Sequence, residues 1–234
     1  MSILGSVFSI LAQMAVWYFI FHNDPNMIRY MTSYVIVAQI ISILLNNNIS
    51  NLIGDKVTTG SFVVDLLKPL NPTFAFFSNS FGMTLAQLLN RGLLLIIVFG
   101  AFLHFSPGVE KVLYFIITCV LGYIIANLIY FIIGYLSFIV FEVWPYVRLI
   151  NDTVRLLAGG VIPLAFFPAW LASGTKLLPF QYLYSFPIRI LLENIPTSEI
   201  YTNYAIMMVW IILLSSLLVL TYRSVIKHCV IQGG

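Results

Sequence analysis

Long apolar runs separated by short polar breaks dominate the chain. The first run is Ile3 to Phe21, followed by His22-Asn23-Asp24-Pro25-Asn26, a polar turn in which proline breaks the helical pattern. The second run is Tyr30 to Leu45, and it stops at Asn46-Asn47-Asn48. A polar stretch continues to Pro72. The third run, Thr73 to Leu103, is interrupted by Arg91. As one helix it would be about 46 Å long against a hydrocarbon core of about 30 Å, so its first turns belong outside the hydrocarbon. Ser106-Pro107-Gly108 is a tight turn, and the fourth run, Val112 to Phe141, has no charge. Glu142-Val143-Trp144-Pro145 ends that helix and starts the next, because proline suits a first helical turn. The fifth run, Tyr146 to Phe166, passes Gly159, Gly160 and Pro163; the last is Ile200 to Tyr222, followed by Arg223 and Lys227.

This pattern predicts an all-α polytopic membrane protein with a single domain over residues 1–234. Six transmembrane helices are expected at about 3–21, 30–46, 79–104, 112–141, 146–166 and 200–222, with a charged helical segment at 47–72. The first run has no basic n-region and no small-x-small cleavage pattern, and its apolar part is too long for a signal peptide, so it is read as a retained span. The interval 167–199 is apolar but holds Pro168, Pro179, Pro187 and Pro196, with Lys176, Arg189, Glu193 and Glu199. Prolines restrict the preceding residue and break the helical ladder, so no uninterrupted piece of about 20 residues remains. Two short re-entrant helices in the outer leaflet, joined near Thr175 to Pro179, are expected instead of a seventh span. Such backbone is tolerated where protein covers its polar groups.

Composition removes the soluble alternative. The 234 residues are 61% hydrophobic and 8% charged, with a mean hydropathy of +1.01, whereas soluble domains carry about 25% charge. The net charge of +3 is small and spread out, which gives no footprint for nucleic acid. It helps only with orientation. Six spans with the N-terminus inside place Lys56, Lys68, Arg148, Arg155, Arg223 and Lys227 in the cytoplasm and Arg29, Lys111, Lys176 and Arg189 outside. That six-to-four bias predicts both termini cytoplasmic.

The search for chemistry is mostly negative. Cys119 and Cys229 are too far apart in the predicted topology to pair, and His22, His104 and His228 are isolated, so neither a disulfide nor a metal site is expected. Gly54 to Ser61 is not a phosphate loop: five residues separate its glycines instead of four, and Ser61 follows Gly60 directly. No cofactor and no nucleotide hydrolysis are expected in this chain, and no nucleophile–base pair suggests a catalytic residue. No carboxylate lies in the interior of a span, since Glu142 and Asp152 sit at the ends, which weakens a proton-driven carrier.

Three groups remain. Arg91 costs about 2.5–3.5 kcal/mol at a span centre; either it snorkels or pairs structurally, or it lines a substrate path. Arg148, Asp152 and Arg155, at i, i+4 and i+7, share a helical face. They form an ordinary interfacial cluster or a lock between transporter halves. Gly122, Ala126 and Gly134 form a small-residue stripe, for close helix packing or a pore lining.

Four stretches carry a family resemblance. Gly60-Ser61-Phe62-Val63-Val64-Asp65-Leu66-Leu67-Lys68-Pro69-Leu70-Asn71-Pro72 resembles a segment of ABC-2 type permeases, in the small six-span branch that works beside daunorubicin-resistance-type ATPases. Gly160 to Leu171, Leu178 to Pro187 and the ending Val230-Ile231-Gln232-Gly233-Gly234 are similar to further segments of that branch. The resemblance implies an exporter permease in a bacterial plasma membrane, moving an amphipathic compound or peptide. It implies pairing with a second, identical or homologous permease and with two ABC ATP-binding subunits, which hold the ATP and Mg. It makes 47–72 the coupling segment, with Phe62, Asp65, Leu66 and Lys68 as the ATPase contact. Trp170, Phe180, Tyr182, Tyr184 and Phe186 then form an outer gate between permeases, or an interfacial aromatic belt. Relatives carry a longer N-terminal segment, so contact with the ATPase is expected to be reduced there. An ion-gradient-driven carrier half and a non-transporting anchor subunit are the alternatives.

Overall fold

A computed structural model describes residues 3–46, 48–103, 107–140 and 142–229. The Val230 to Gly234 ending, Phe141 and Ser106 of the expected turn lie outside the described residues. The described residues form helices and turns, with no strand. Polar residues set the helix starts. Asp24 caps α2 (Pro25–Leu45), its carboxylate accepting from the Asn26 and Met27 N–H groups, after α1 (Ile3–Ile20) has ended. Asn71 caps α5 (Pro72–Gln87) by accepting from Thr73 N–H. Both helices open on proline, whose missing N–H costs nothing there.

Between α2 and α5 lie α3 (Ile49–Thr58) and the single turn α4 (Phe62–Leu66). A π-helical turn, Leu88–Gly92, joins α5 to α6 (Leu93–Phe99). Next come α7 (Val109–Tyr135), α8 (Trp144–Leu157), α9 (Ala169–Lys176), α10 (Ser185–Leu192) and α11 (Thr197–Cys229). Among the described residues, four stretches are long and apolar enough to cross a bilayer: Pro25–Thr58, Pro72–Phe102, Val109–Phe138 and Thr197–Val225. The apolar part of α1, Leu4–Ile20, is shorter.

α7, uncharged from Val112 onward, forms the centre, packing against α11, α3 and α10, while α2 packs on α1, α5 and α10. Tyr34, Ile41, Ile53, Phe62, Ile125, Tyr135 and Tyr182 belong to one continuous core. A second cluster, including Ile10, Ile36, Leu95 and Phe99, ties α1 and α6 to α2. Of the apolar window of Thr197–Val225 only 11% is buried, against 61% for Pro25–Thr58, so α11 turns a wall of Ile212, Leu213, Leu217 and Leu220 outward. In water that wall would be costly; against lipid tails it is not.

The fifth expected helix differs. Residues 146–166 are not one helix, because α8 stops at Leu157. The Gly159 N–H donates to Leu156 O at 3.1 Å, and the Gly160 N–H donates to Arg155 O at 2.8 Å. Gly159 sits at φ +83°. These bonds are a Schellman terminus, which glycine enters without strain. The interval 167–199 holds the short helices α9 and α10 and a 3₁₀ turn, Pro179–Tyr182, but no helix of spanning length. Three of its four charges meet: Arg189 Nε donates to Glu193 at 2.9 Å and a guanidinium nitrogen lies 3.5 Å from Glu199. Tyr30 donates to Glu193 at 2.8 Å, and Lys111 to Glu193 O at 2.8 Å. These contacts tie the starts of α2, α7 and α11 together at one end of the bundle; α3 and α4 lie at the other.

Candidate functional site

At the α3–α4 end, the chain folds back on itself around one carboxylate. Asp65 accepts from Lys68 Nζ at 2.7 Å and from Lys56 Nζ on its other oxygen. Burial of the Asp65 side chain opposes its charge, but the hydrogen bonds and charges of the two lysines prevail and hold its carboxyl below the ordinary carboxylate range. Lys56 also sits over the Phe76 ring, 5.3 Å from its centroid. Phe62, 1% exposed, meets Phe76, Tyr135 and Phe138. Thr73 and Tyr135 share a hydrogen bond of 2.7 Å beside it. The elbow between α3 and α5 is therefore a fixed object, pinned by an aromatic ring and an ion triad.

Of the residues expected on the contact face, Phe62 and Asp65 need correction. Both are buried within the chain, because a one-turn helix anchored on an aromatic cluster turns these two side chains inward. Leu66 is half-buried and Lys68 is exposed. What the elbow presents outward is Val63, Val64, Leu67 and Leu70, with Leu67 81% exposed.

α3 rests on α7 through a close approach. A Cβ at Gly134 would lie 2.9 Å from Ile53 Cδ1 and 3.1 Å from Ser50 Cα. Ser50 Oγ donates to Tyr130 O at 2.6 Å across the same contact. At Gly122 a Cβ would come within 3.1 Å of Tyr182 O. The two glycines of the small-residue stripe thus serve close packing, while Ala126 between them lines a cavity.

That cavity, about 250 Å³, lies among α2, α5, α7 and α8. It gathers Arg91, Asp152, Arg155 and Tyr184, which the sequence had placed in three separate groups. Arg148, expected on the same face as Asp152 and Arg155, is exposed and lies off the cavity wall. Trp170 is 76% exposed, Phe180 half-buried, and Tyr182, Tyr184 and Phe186 are buried in the chain's own core. These five aromatics therefore form no single outer cluster; α10 folds inward onto α7 and α2 and takes Tyr184 and Phe186 with it.

Several polar residues of the cavity were not singled out from the sequence. Gln39 accepts from Arg155 at 3.4 Å, Ser42 meets the Tyr184 hydroxyl at 3.2 Å, and Asn46 donates to Gln87 at 3.4 Å. The Tyr130 hydroxyl donates to Asn151. The signal was present: Gln39 and Ser42, Gln87 and Arg91, and Asn151 and Arg155 each lie three or four residues apart, on one helical face. A second cavity of about 320 Å³ shares Asn46, Gln87 and Asn151 and continues toward Asn48, Asn51 and Asn79.

A family model described as ABC-2 family transporter protein matches residues 3–233. No curated protein and no solved structure matches the chain.

Proposed function

The chain belongs to the ABC-2 family of transporter proteins, and from that premise we propose that it is the permease subunit of an exporter driven by separate ATP-binding subunits. As such it is a membrane transport component. In this reading it crosses the membrane six times, through α1, α2, α5–α6, α7, α8 with its terminal turn, and α11. At 14 residues α8 is about 21 Å long, so the turn at Gly159 and the following residues complete that crossing. Both termini and the elbow face the cytoplasm, and 167–199 dips into the outer leaflet. A second permease copy or homologue completes the pathway, and ATP and Mg stay on the partner.

One observation carries the proposal: the elbow's apolar outer face, Val63, Val64, Leu67 and Leu70, is held rigid by the buried Phe62 and the Lys56–Asp65–Lys68 triad. A preorganised apolar surface beside an exposed lysine suits a groove on a partner, since little ordering cost remains to be met on binding. Coupling then runs from the elbow into α3 and, through the Ser50–Gly134 contact, into α7. Reconstitution of the chain with its ATP-binding subunit in sealed vesicles tests it. Transport of an amphipathic dye that requires ATP is the expected result; transport by the chain alone under an ion gradient would overturn the proposal in favour of a secondary carrier.

A further inference from the structure

The cavity around Arg155 has an electrostatic imbalance that the fold does not resolve. Arg155 occupies the third-last helical position of the α8 terminus, and its carbonyl is held by the Gly160 N–H at 2.8 Å. Its stem is clamped: a Cβ at Gly160 would lie 3.1 Å from Arg155 Cγ and 3.1 Å from Tyr184 Cδ1. The guanidinium therefore has little freedom to swing out to water. It makes one long bond, 3.4 Å to Gln39, and its Nε is buried with no hydrogen-bond partner. A guanidinium carries five N–H donors, and a buried donor left unpaired is costly, more so when charged.

Arg91 enters the same cavity from the π-helical turn of α5, an irregularity that is frequent at functional sites. Among the described residues no carboxylate lies within ion-pair distance of either arginine. Asp152, the one acid on the cavity wall, is exposed. Two cations and one solvent-facing anion leave the chamber positive. The Asn46 amide adds a donor, while Ile43, Ala126 and Leu183 supply an apolar wall. A fork-shaped cation in such a place matches a carboxylate or phosphate.

We propose that this cavity binds the anionic headgroup, carboxylate or phosphate, of an amphipathic molecule, with Arg155 as its main partner, Arg91 as the second, and the apolar wall against the adjoining carbons. The size fits one headgroup and little more, because about 250 Å³ is the room of several waters at about 30 Å³ each. Taken as the substrate site, it rests on the permease reading above; taken as a binding site, it stands without it. A free amphiphile and an anionic lipid share this chemistry, and the experiment separates them.

The purified full chain in a neutral maltoside detergent is titrated with dodecyl phosphate and, in parallel, with dodecyltrimethylammonium, reading the thermal unfolding midpoint. The chain in nanodiscs containing both phosphatidylglycerol and phosphatidylcholine is released for native mass spectrometry. The expected result is a midpoint raised by dodecyl phosphate and not by the cation, with affinity at least tenfold weaker in Arg155→Gln and weaker in Arg91→Gln. Arg155→Lys keeps the charge without the fork and falls between. Retention of phosphatidylglycerol by the wild type but not by Arg155→Gln identifies a lipid as the natural source; a dodecyl phosphate response without lipid retention identifies a free amphiphile. Equal responses to both detergents, or undiminished dodecyl phosphate affinity in monodisperse Arg155→Gln or Arg91→Gln, would overturn the proposal. No ATP-binding subunit is present, so failure here leaves the permease reading intact, and a failure of ATP-dependent transport leaves this site intact.

Discussion

Replacing Gly134 probes the joint on which the proposed coupling path depends. With alanine there, the new Cβ would sit 2.9 Å from Ile53 Cδ1, 3.1 Å from Ser50 Cα and 3.3 Å from Ile53 Cβ. Carbon atoms pack best at about 3.5–4.0 Å. The Ile53 methyl can rotate away, but Ser50 Cα is backbone, so α3 must withdraw from α7 by roughly half an ångström. That retreat stretches the 2.6 Å bond from Ser50 to Tyr130 O. Overpacking of this kind costs about 1–3 kcal/mol, and Gly134→Val doubles the intrusion. For a chain of this length each kcal/mol lowers an unfolding midpoint by roughly 2–4 °C. The assay is thermal unfolding of the inserted, purified protein, with ATP-dependent transport measured beside it. Gly134→Ala is expected to lower the midpoint by several degrees, and Gly134→Val to lower it further and uncouple ATP turnover from transport. A Gly134→Val protein with unchanged midpoint and transport would show that α3 does not lean on α7 as described.

Other perturbations bear on the elbow, the α8 terminus and the topology. Asp65→Asn removes the charge that both lysines share and should loosen the elbow, seen as new protease cleavage between Thr58 and Pro72; unchanged cleavage would dismiss the triad as a lock. Because the Asp65 carboxyl is held below its ordinary value, the lock is complete above about pH 4 and is lost only as pH falls through the lowered folded-state value. Gly159→Ala forces a side chain into the left-handed region at φ +83° and places a Cβ 3.0 Å from the Tyr34 hydroxyl. A loss of at least about 1–2 kcal/mol is expected, and an unchanged midpoint would contradict the terminus. Single cysteines at Asp24 and Leu70 should label from opposite sides of intact cells, Asp24→Cys from outside; labelling of both from outside would refute the orientation.

The sequence was most legible where one physical rule acts alone. The uncharged Val112–Phe141 run could only be buried in lipid or protein, and Asp24-Pro25 and Asn71-Pro72 are capping pairs that act within one turn. It was least legible where local signals compete. Tyr146–Phe166 is apolar enough to suggest one continuous helix, yet Ala158-Gly159-Gly160 carries the glycine pair of a helix terminus, and the helix ends there. Asp65 and Lys68 do pair, but Asp65 turns inward while Lys68 stays exposed, and the second partner, Lys56, is nine positions away, where periodicity within α4 cannot reveal it. The cavity depended on four helices converging. Gln39 and Gln87 are each unremarkable in their own run, and only the packing of α2 and α5 beside α8 around Ala126 brings them to the cavity of Arg155.

The outward face of the elbow is the most direct point of test. Its four apolar side chains are exposed at the end of the bundle, and burying Leu67 alone would contribute on the order of 1–2 kcal/mol, or about 5- to 30-fold in affinity. A photo-reactive amino acid placed in turn at Val64, Leu67, Phe62 and Trp170, in cells making the chain with its ATP-binding subunit, reads that face in place. A cross-link to the ATP-binding subunit is expected from Val64 and Leu67, and none from the buried Phe62 or from Trp170. A cross-link from Trp170, or none from Leu67 while the two subunits co-purify as an active ATPase, would contradict it.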